Sequence, residues 1–204
     1  LVNSSGLYMW GDADHGLLAD GADTQHILQY PVKVAQVGSD VRSLHCKSTS
    51  CAVITNAVPY VAAWGLNANG LLCLNSTAPA VTVPSSYPNT DSQNPFAAFL
   101  PSQAPFSHTA SLWYSNITNV LFTCGSGSLL GAGSGYAPSS YNGAPVVVPR
   151  GNGGIPANRR IIDFFMAVSH AMVLTEDGIL YGWGSNAYGQ LAVDVTAGAR
   201  GAEF

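Results

Sequence analysis

The sequence predicts an all-β chain made of repeated antiparallel units arranged as the blades of a propeller, and three observations carry that prediction. Residues 163–191, DFFMAVSHAMVLTEDGILYGWGSNAYGQL, read as β-rich runs at 164–168, 171–175 and 179–183. The break at Glu176-Asp177-Gly178 is a hairpin signal, because glycine takes the positive φ of such a turn at little cost. Next, the Trp183-Gly184 tail has counterparts at Trp10-Gly11 and Trp64-Gly65 and a weakened one at Cys124-Gly125, with spacings of 54, 60 and 59 residues. Finally, Gly16, Gly70 and Gly189 stand six positions beyond the three Trp, and Leu18, Leu72 and Leu191 stand eight beyond. One small meander cannot bury its apolar face alone, so a regular period of such units points to stacked blades.

Along the chain, residues 1–31 read as the end of one unit, with a strand over 7–10 and a polar loop over 20–25. Residues 32–84 form a second, with strands at 41–46, 51–55 and 60–64. Residues 85–149 form a third and 150–204 the best-formed fourth. Cys51 and His170 each stand thirteen residues before a repeat Trp. His108, in Ser107-His108-Thr109-Ala110, takes the same place in the third copy if its hairpin is slightly longer. A His demanded once per unit is structural, bonding a neighbouring turn and packing its ring. Trp10, Trp64 and Trp183 have matching blade positions; Trp113 alone is off the pattern and reads as strand packing.

The segment SHAMVLTEDGILYGWGSNAYGQL resembles the repeat of the regulator of chromosome condensation family, and WGLNANGLL and WGDADHGLL are weaker copies of its tail. The third copy, CGSGSLLG, departs most. The resemblance implies a propeller of that type, which closes a ring of roughly seven units of 50–60 residues. The chain then supplies about three to four blades, an incomplete ring that opens in mid-unit, as an internal part of a longer protein would. The Gly-Trp-Arg-His-Thr motif of the family's ultraviolet-B photoreceptor is missing.

Composition narrows the function. Charged residues make up 9% of the chain, against about 25% in an ordinary soluble domain. With seven basic residues and a net charge of −4, the electrostatic footprint of nucleic-acid binding is missing. No apolar run approaches the roughly 20 residues of a membrane span. Asp12-Ala13-Asp14 and Asp20-Gly21-Ala22-Asp23 invite a calcium reading, but no glutamate closes either loop, so they read as turns. No Cys/His spacing suits zinc, and neither a Gly-x-Ser-x-Gly elbow nor an HExxH helix occurs. The glycines at 125–135 lack a Lys-Ser/Thr ending. The expectation is no cofactor, no metal and no catalysis.

Four cysteines permit three pairings. Cys46 and Cys51 flank the turn 47–50 and can meet across a hairpin if its register allows; otherwise they are two small buried thiols. Cys73–Cys124 would join neighbouring blades and is the less favoured pair. The sequons at Asn3, Asn75 and Asn116, the low charge and the cysteines favour a secreted or cell-surface glycoprotein, with a cytoplasmic or nuclear chain as the alternative. Tyr136 and Tyr141 lie on a Gly/Ser-rich loop, 132–145, of the composition that recognition loops use; a tolerated surface insertion is the plainer reading.

The family resemblance thus implies a non-enzymatic scaffold whose blade loops bind a protein partner or the remaining blades of the same propeller. The alternatives are a structural subunit of an extracellular or ciliary assembly, and a guanine-nucleotide exchange factor for a small GTPase. Because end blades leave apolar faces open, the chain alone is expected to oligomerise or aggregate.

Overall fold

The computed structural model describes residues 2–3, 5–47, 49–56, 61–76, 78–86, 110–115, 119–126, 141–148, 155–192 and 202–203. They form four antiparallel sheets in chain order. The first contains β1 (Val2–Asn3), β2 (Gly6–Ala13) and β3 (His26–Lys33); the second contains β4 (Val41–Lys47), β5 (Ser50–Thr55), β6 (Val61–Leu66) and β7 (Ala80–Ser85). The third contains β8 (Ala110–Ser115), β9 (Val120–Ser126) and β10 (Tyr141–Val147); the fourth contains β11 (Ile161–Met166), β12 (His170–Thr175), β13 (Leu180–Gly184) and β14 (Ala202–Glu203). Each strand pairs with its neighbour in sequence, which is the meander that the hairpin signals require.

The β12–β13 turn shows why these residues fold this way. Gly178 has φ +85°, its N–H donates to Thr175 O at 2.9 Å, and Thr175 donates through both its N–H and its hydroxyl to Ile179 O. Thr and Val supply the stiff, branched side chains that suit the flanking strands.

Three apolar clusters join the sheets in series. Every residue of β5 is buried, and alternation divides them between two neighbours. Cys51 and Val53, with Ala62 and Trp64 of β6, pack back on Leu7, Ala19, Val34 and Val37. Ala52, Val61 and Ala63 pack forward on Trp113 and Cys124. Ala171, Val173, Tyr181 and Trp183 pack back on Ala110, Leu112, Tyr114 and Leu121. Central strands covered on both faces are what a stack of blades demands.

The structure amends several readings. β3 belongs to the first sheet and runs to Lys33, past the unit boundary expected at residue 31. Tyr141 opens strand β10 opposite Ser126 rather than sitting in a loop. The Gly and Pro that suggested a loop fall within a register shift between Asn142 and Val146, where bulges accept them. His108 lies outside the described residues, but register argues against its equivalence with His170. His170 faces Gly184, whereas Ala110 faces Gly125 and Ser50 faces Gly65. The hairpins differ in length, so counting back from the Trp picks the wrong partner.

Candidate functional site

In the first, second and fourth units the tail is one turn built repeatedly. Gly11, Gly65, Gly125 and Gly184 have φ of +109°, +98°, +105° and +105°. Six residues beyond the Trp stations, Gly16, Gly70 and Gly189 all have φ +74°. Leu18, Leu72 and Leu191 are then buried, and the next residues, Ala19, Cys73 and Ala192, return to positive φ. The same hydrogen bond closes each turn: Ala19 N–H to Gly16 O, Cys73 N–H to Gly70 O and Ala192 N–H to Gly189 O. Side chains of Asn67 and Asn186 brace the turn, accepting from Leu72 and Leu191 N–H at 2.9 Å each. Asn67 is fully buried, and its amide also donates to Ser76 O and Ala78 O. Sequence reading missed these two Asn, although both stand three residues after a repeat Trp.

That turn is the socket into which the next sheet plugs. Trp64 is fully buried, and its indole Nε1 donates to Leu17 O at 2.9 Å. At the next junction Cys124 occupies the Trp station, and the connection is made otherwise. Trp113, diagonal to it on β8, fills the space and donates to Ser111 Oγ at 2.7 Å; that hydroxyl donates to Leu71 O, the counterpart of Leu17 O. Cys124 is bonded to Cys73, so the less favoured pairing is present and joins neighbouring sheets. Cys46 is bonded to Cys51, its direct partner across the β4–β5 hairpin, and all four cysteines are paired.

Other predicted positions fare differently. Trp183 is 3% exposed like Trp64, but Trp10 is 48% exposed, because among the described residues no other sheet covers its side of the first sheet. The ring of His170 lies 6.1 Å from that of Phe165, and its Nδ1 is buried and without a hydrogen bond among the described residues. Asn75 is exposed on a turn at φ +53°. Asn3 lies on β1, and Asn116 and Tyr136 fall outside the described residues.

The acidic loops of the first unit are tied internally. Asp20 caps Ala22 N–H at 3.1 Å and meets His26 Nε2 at 2.6 Å; Gln25 donates to the Asp12 carboxylate. Thr24 O, which faces Nδ1, and the Asp20 carboxylate hold the His26 pKa above its usual value. Partial burial pushes Asp20 up, but the Ala22 N–H and His26 outweigh it and leave Asp20 lowered. Among the described residues no group of three or more His, Cys, Asp or Glu is placed to hold a metal ion.

Directly before the turn glycine stand His15, Asn69 and Tyr188, three different side chains on one repeated frame. Tyr188 is 95% exposed, and its N–H is held by Gln190 Oε1. The glycine frame recurs, while the tip before it varies in side chain and in backbone, since His15 and Asn69 take positive φ and Tyr188 does not.

Residues 168–190 match the model of the regulator of chromosome condensation (RCC1) repeat. The chain carries that repeat, and it has the propeller fold such repeats build. Human WBSCR16 superposes with TM-score 0.69 at 21% identity, over 91% of this chain and 44% of that one. Prp20p of Saccharomyces cerevisiae, which has binding properties toward Gsp1p and histones, superposes with TM-score 0.70 at 16% identity, over 100% of this chain and 48% of that one. Yeast RCC1 (Prp20) bound to Kap60 gives TM-score 0.65 at 15% identity, over 89% and 40%. The chain thus spans somewhat under half the length of each of these structures. No curated protein sequence matches it significantly.

Proposed function

We propose that this chain is part of a protein-binding propeller scaffold that supplies shape and no bond chemistry, and that it works outside the cell or at its surface. The observation that carries the binding reading is the set of tips: turns built on the same glycine frame present His15, Asn69 and the exposed ring of Tyr188. Variable side chains on rigid loops are how scaffolds recognise partners, and an exposed Tyr with little entropy to lose is a favourable anchor. The two disulfides and the exposed sequon at Asn75 support an oxidising compartment. Replacing Tyr188 with Ser and Asn69, which sits at φ +62°, with Gly should weaken retention of a partner captured by the native chain, at nearly unchanged thermal stability. Retention unaffected by both changes would sink the tip reading.

The likeness to Prp20p supports a second reading, exchange of guanine nucleotide on a small GTPase in the nucleus or cytoplasm. It predicts nucleotide release on mixing with the GTPase and an unglycosylated Asn75. Intact mass of native material, with and without deglycosylation and reduction, separates the two. A structural subunit would instead appear as a repeated copy in a native assembly.

A further inference from the structure

We propose that Cys46–Cys51 is a reversible redox site, opened by a dithiol reductant without unfolding the chain, whereas Cys73–Cys124 is a permanent structural bond. The two disulfides differ first in access. Cys46 is exposed and bonded to a residue 5 positions away, while Cys73 and Cys124 are both fully buried and lie 51 positions apart. Exchange requires a thiolate to reach a sulfur atom, so in the folded chain the reductant has one target.

The hairpin that holds this target is secured by other means. β4 and β5 pair from Val41↔Thr55 to Lys47↔Ser50. Its turn is tied to the next strand's end, where Leu66 N–H donates to Thr49 O and Ser50 Oγ donates to Leu66 O, both at 2.8 Å. Glycine at 65 lets the turn lie this close, since a Cβ there would collide with the Thr49 carbonyl.

The fourth sheet supplies an internal control. Met166 faces Ala171 at the station where Cys46 faces Cys51, and Ser185 N–H donates to Ser169 O at 2.7 Å as Leu66 does to Thr49. The same hairpin forms there without cysteine. The Cys46–Cys51 bond is therefore dispensable to the geometry, and what it adds is chemistry.

In the exchange, one thiolate of the dithiol attacks Cys46 Sγ. The S–S bond breaks, and its electron pair leaves on Cys51 Sγ, which takes a proton. The dithiol's second thiolate attacks its own sulfur in the mixed disulfide and releases Cys46, which is protonated in turn. The reductant loses two electrons and two protons and ends as a disulfide; the chain gains both and ends with two thiols.

The full chain, treated with graded dithiothreitol, trapped with N-ethylmaleimide and mapped by peptide mass spectrometry, tests this. Cys46 should be labelled at least about tenfold faster than Cys73 and Cys124, with tryptophan fluorescence unchanged; Cys51 is fully buried and should be labelled once the trapped chain is denatured. Labelling of Cys46 no faster than Cys73 and Cys124, or only as fluorescence reports unfolding, would overturn the proposal. In a second arm, Cys46→Met/Cys51→Ala copies the fourth sheet's pair and should still fold, melting only about 4–8 °C below the native chain, as opening so short a loop requires. Failure of that variant to fold would overturn the claim that the bond is dispensable.

Discussion

The first and second junctions between sheets make the same connection with different chemistry. At the first, the Trp64 indole reaches Leu17 O of the preceding tail turn. At the second, Cys124 replaces the Trp, Trp113 supplies the bulk from the adjacent strand, Ser111 reaches Leu71 O, and Cys73–Cys124 adds a covalent tie. The stations are conserved in space while the residues at them trade roles. A propeller junction thus needs a filled volume and a satisfied turn carbonyl, and more than one set of side chains provides both.

If that comparison holds, breaking the tie at the second junction has the largest effect. Cys73→Ala/Cys124→Ala releases a loop of 51 positions, a loss of about 4 kcal/mol by loop closure and a melting point roughly 8–16 °C lower. Calorimetry at fixed protein concentration checks it.

Next in size is Gly65→Ala. Its φ of +98° disfavours any side chain, and the added Cβ meets the Thr49 backbone, so roughly 2–4 kcal/mol should be lost. Gly11→Ala shares the positive φ but has nothing within 4 Å. It should cost only about 1 kcal/mol, and urea denaturation of the pair separates backbone strain from collision.

Trp64→Phe sharpens the first junction. It keeps most of the packing but leaves Leu17 O without its donor, a loss of about 1–2 kcal/mol. Trp10→Phe, at an exposed station, should change stability hardly at all.

The smallest effect is a pH dependence in the first unit. The His26 pKa is raised, so its stabilising contribution is complete below its unfolded value and is lost as pH rises through the folded one. The lowered Asp20 adds a term that is lost as pH falls through its folded value. NMR titration of the His26 ring should show a midpoint above that of an ordinary histidine. Replacing Asp20 with Asn should bring that midpoint down.

What was legible in the sequence was the local and the periodic. Trp-Gly, Gly-x-Leu and Asp-Gly each impose a backbone conformation within a few residues, so β4–β6 and β11–β13 could be read directly, while the outer strands β7 and β14 could not. Partnerships across sheets could not. The exchange of Trp64's role for Trp113 and Cys124 pairs residues on different strands, and spacing carries no trace of it, so Trp113 looked off pattern. The burial of Trp64 against the exposure of Trp10 depends on what lies on the far side of the sheet, which no repeat unit encodes. Tyr141 failed for a local reason, because a bulge lets a strand hold the Gly and Pro of a loop.

The central claim, that the second junction is a rewired copy of the first, is tested most directly by writing the first junction's residues into it. Cys73→Ala/Trp113→Val/Cys124→Trp reproduces Ala19, Val53 and Trp64 at the matching stations. Under urea, this triple variant should recover most of the stability lost by Cys73→Ala/Cys124→Ala. A triple variant no more stable than the double would contradict the account.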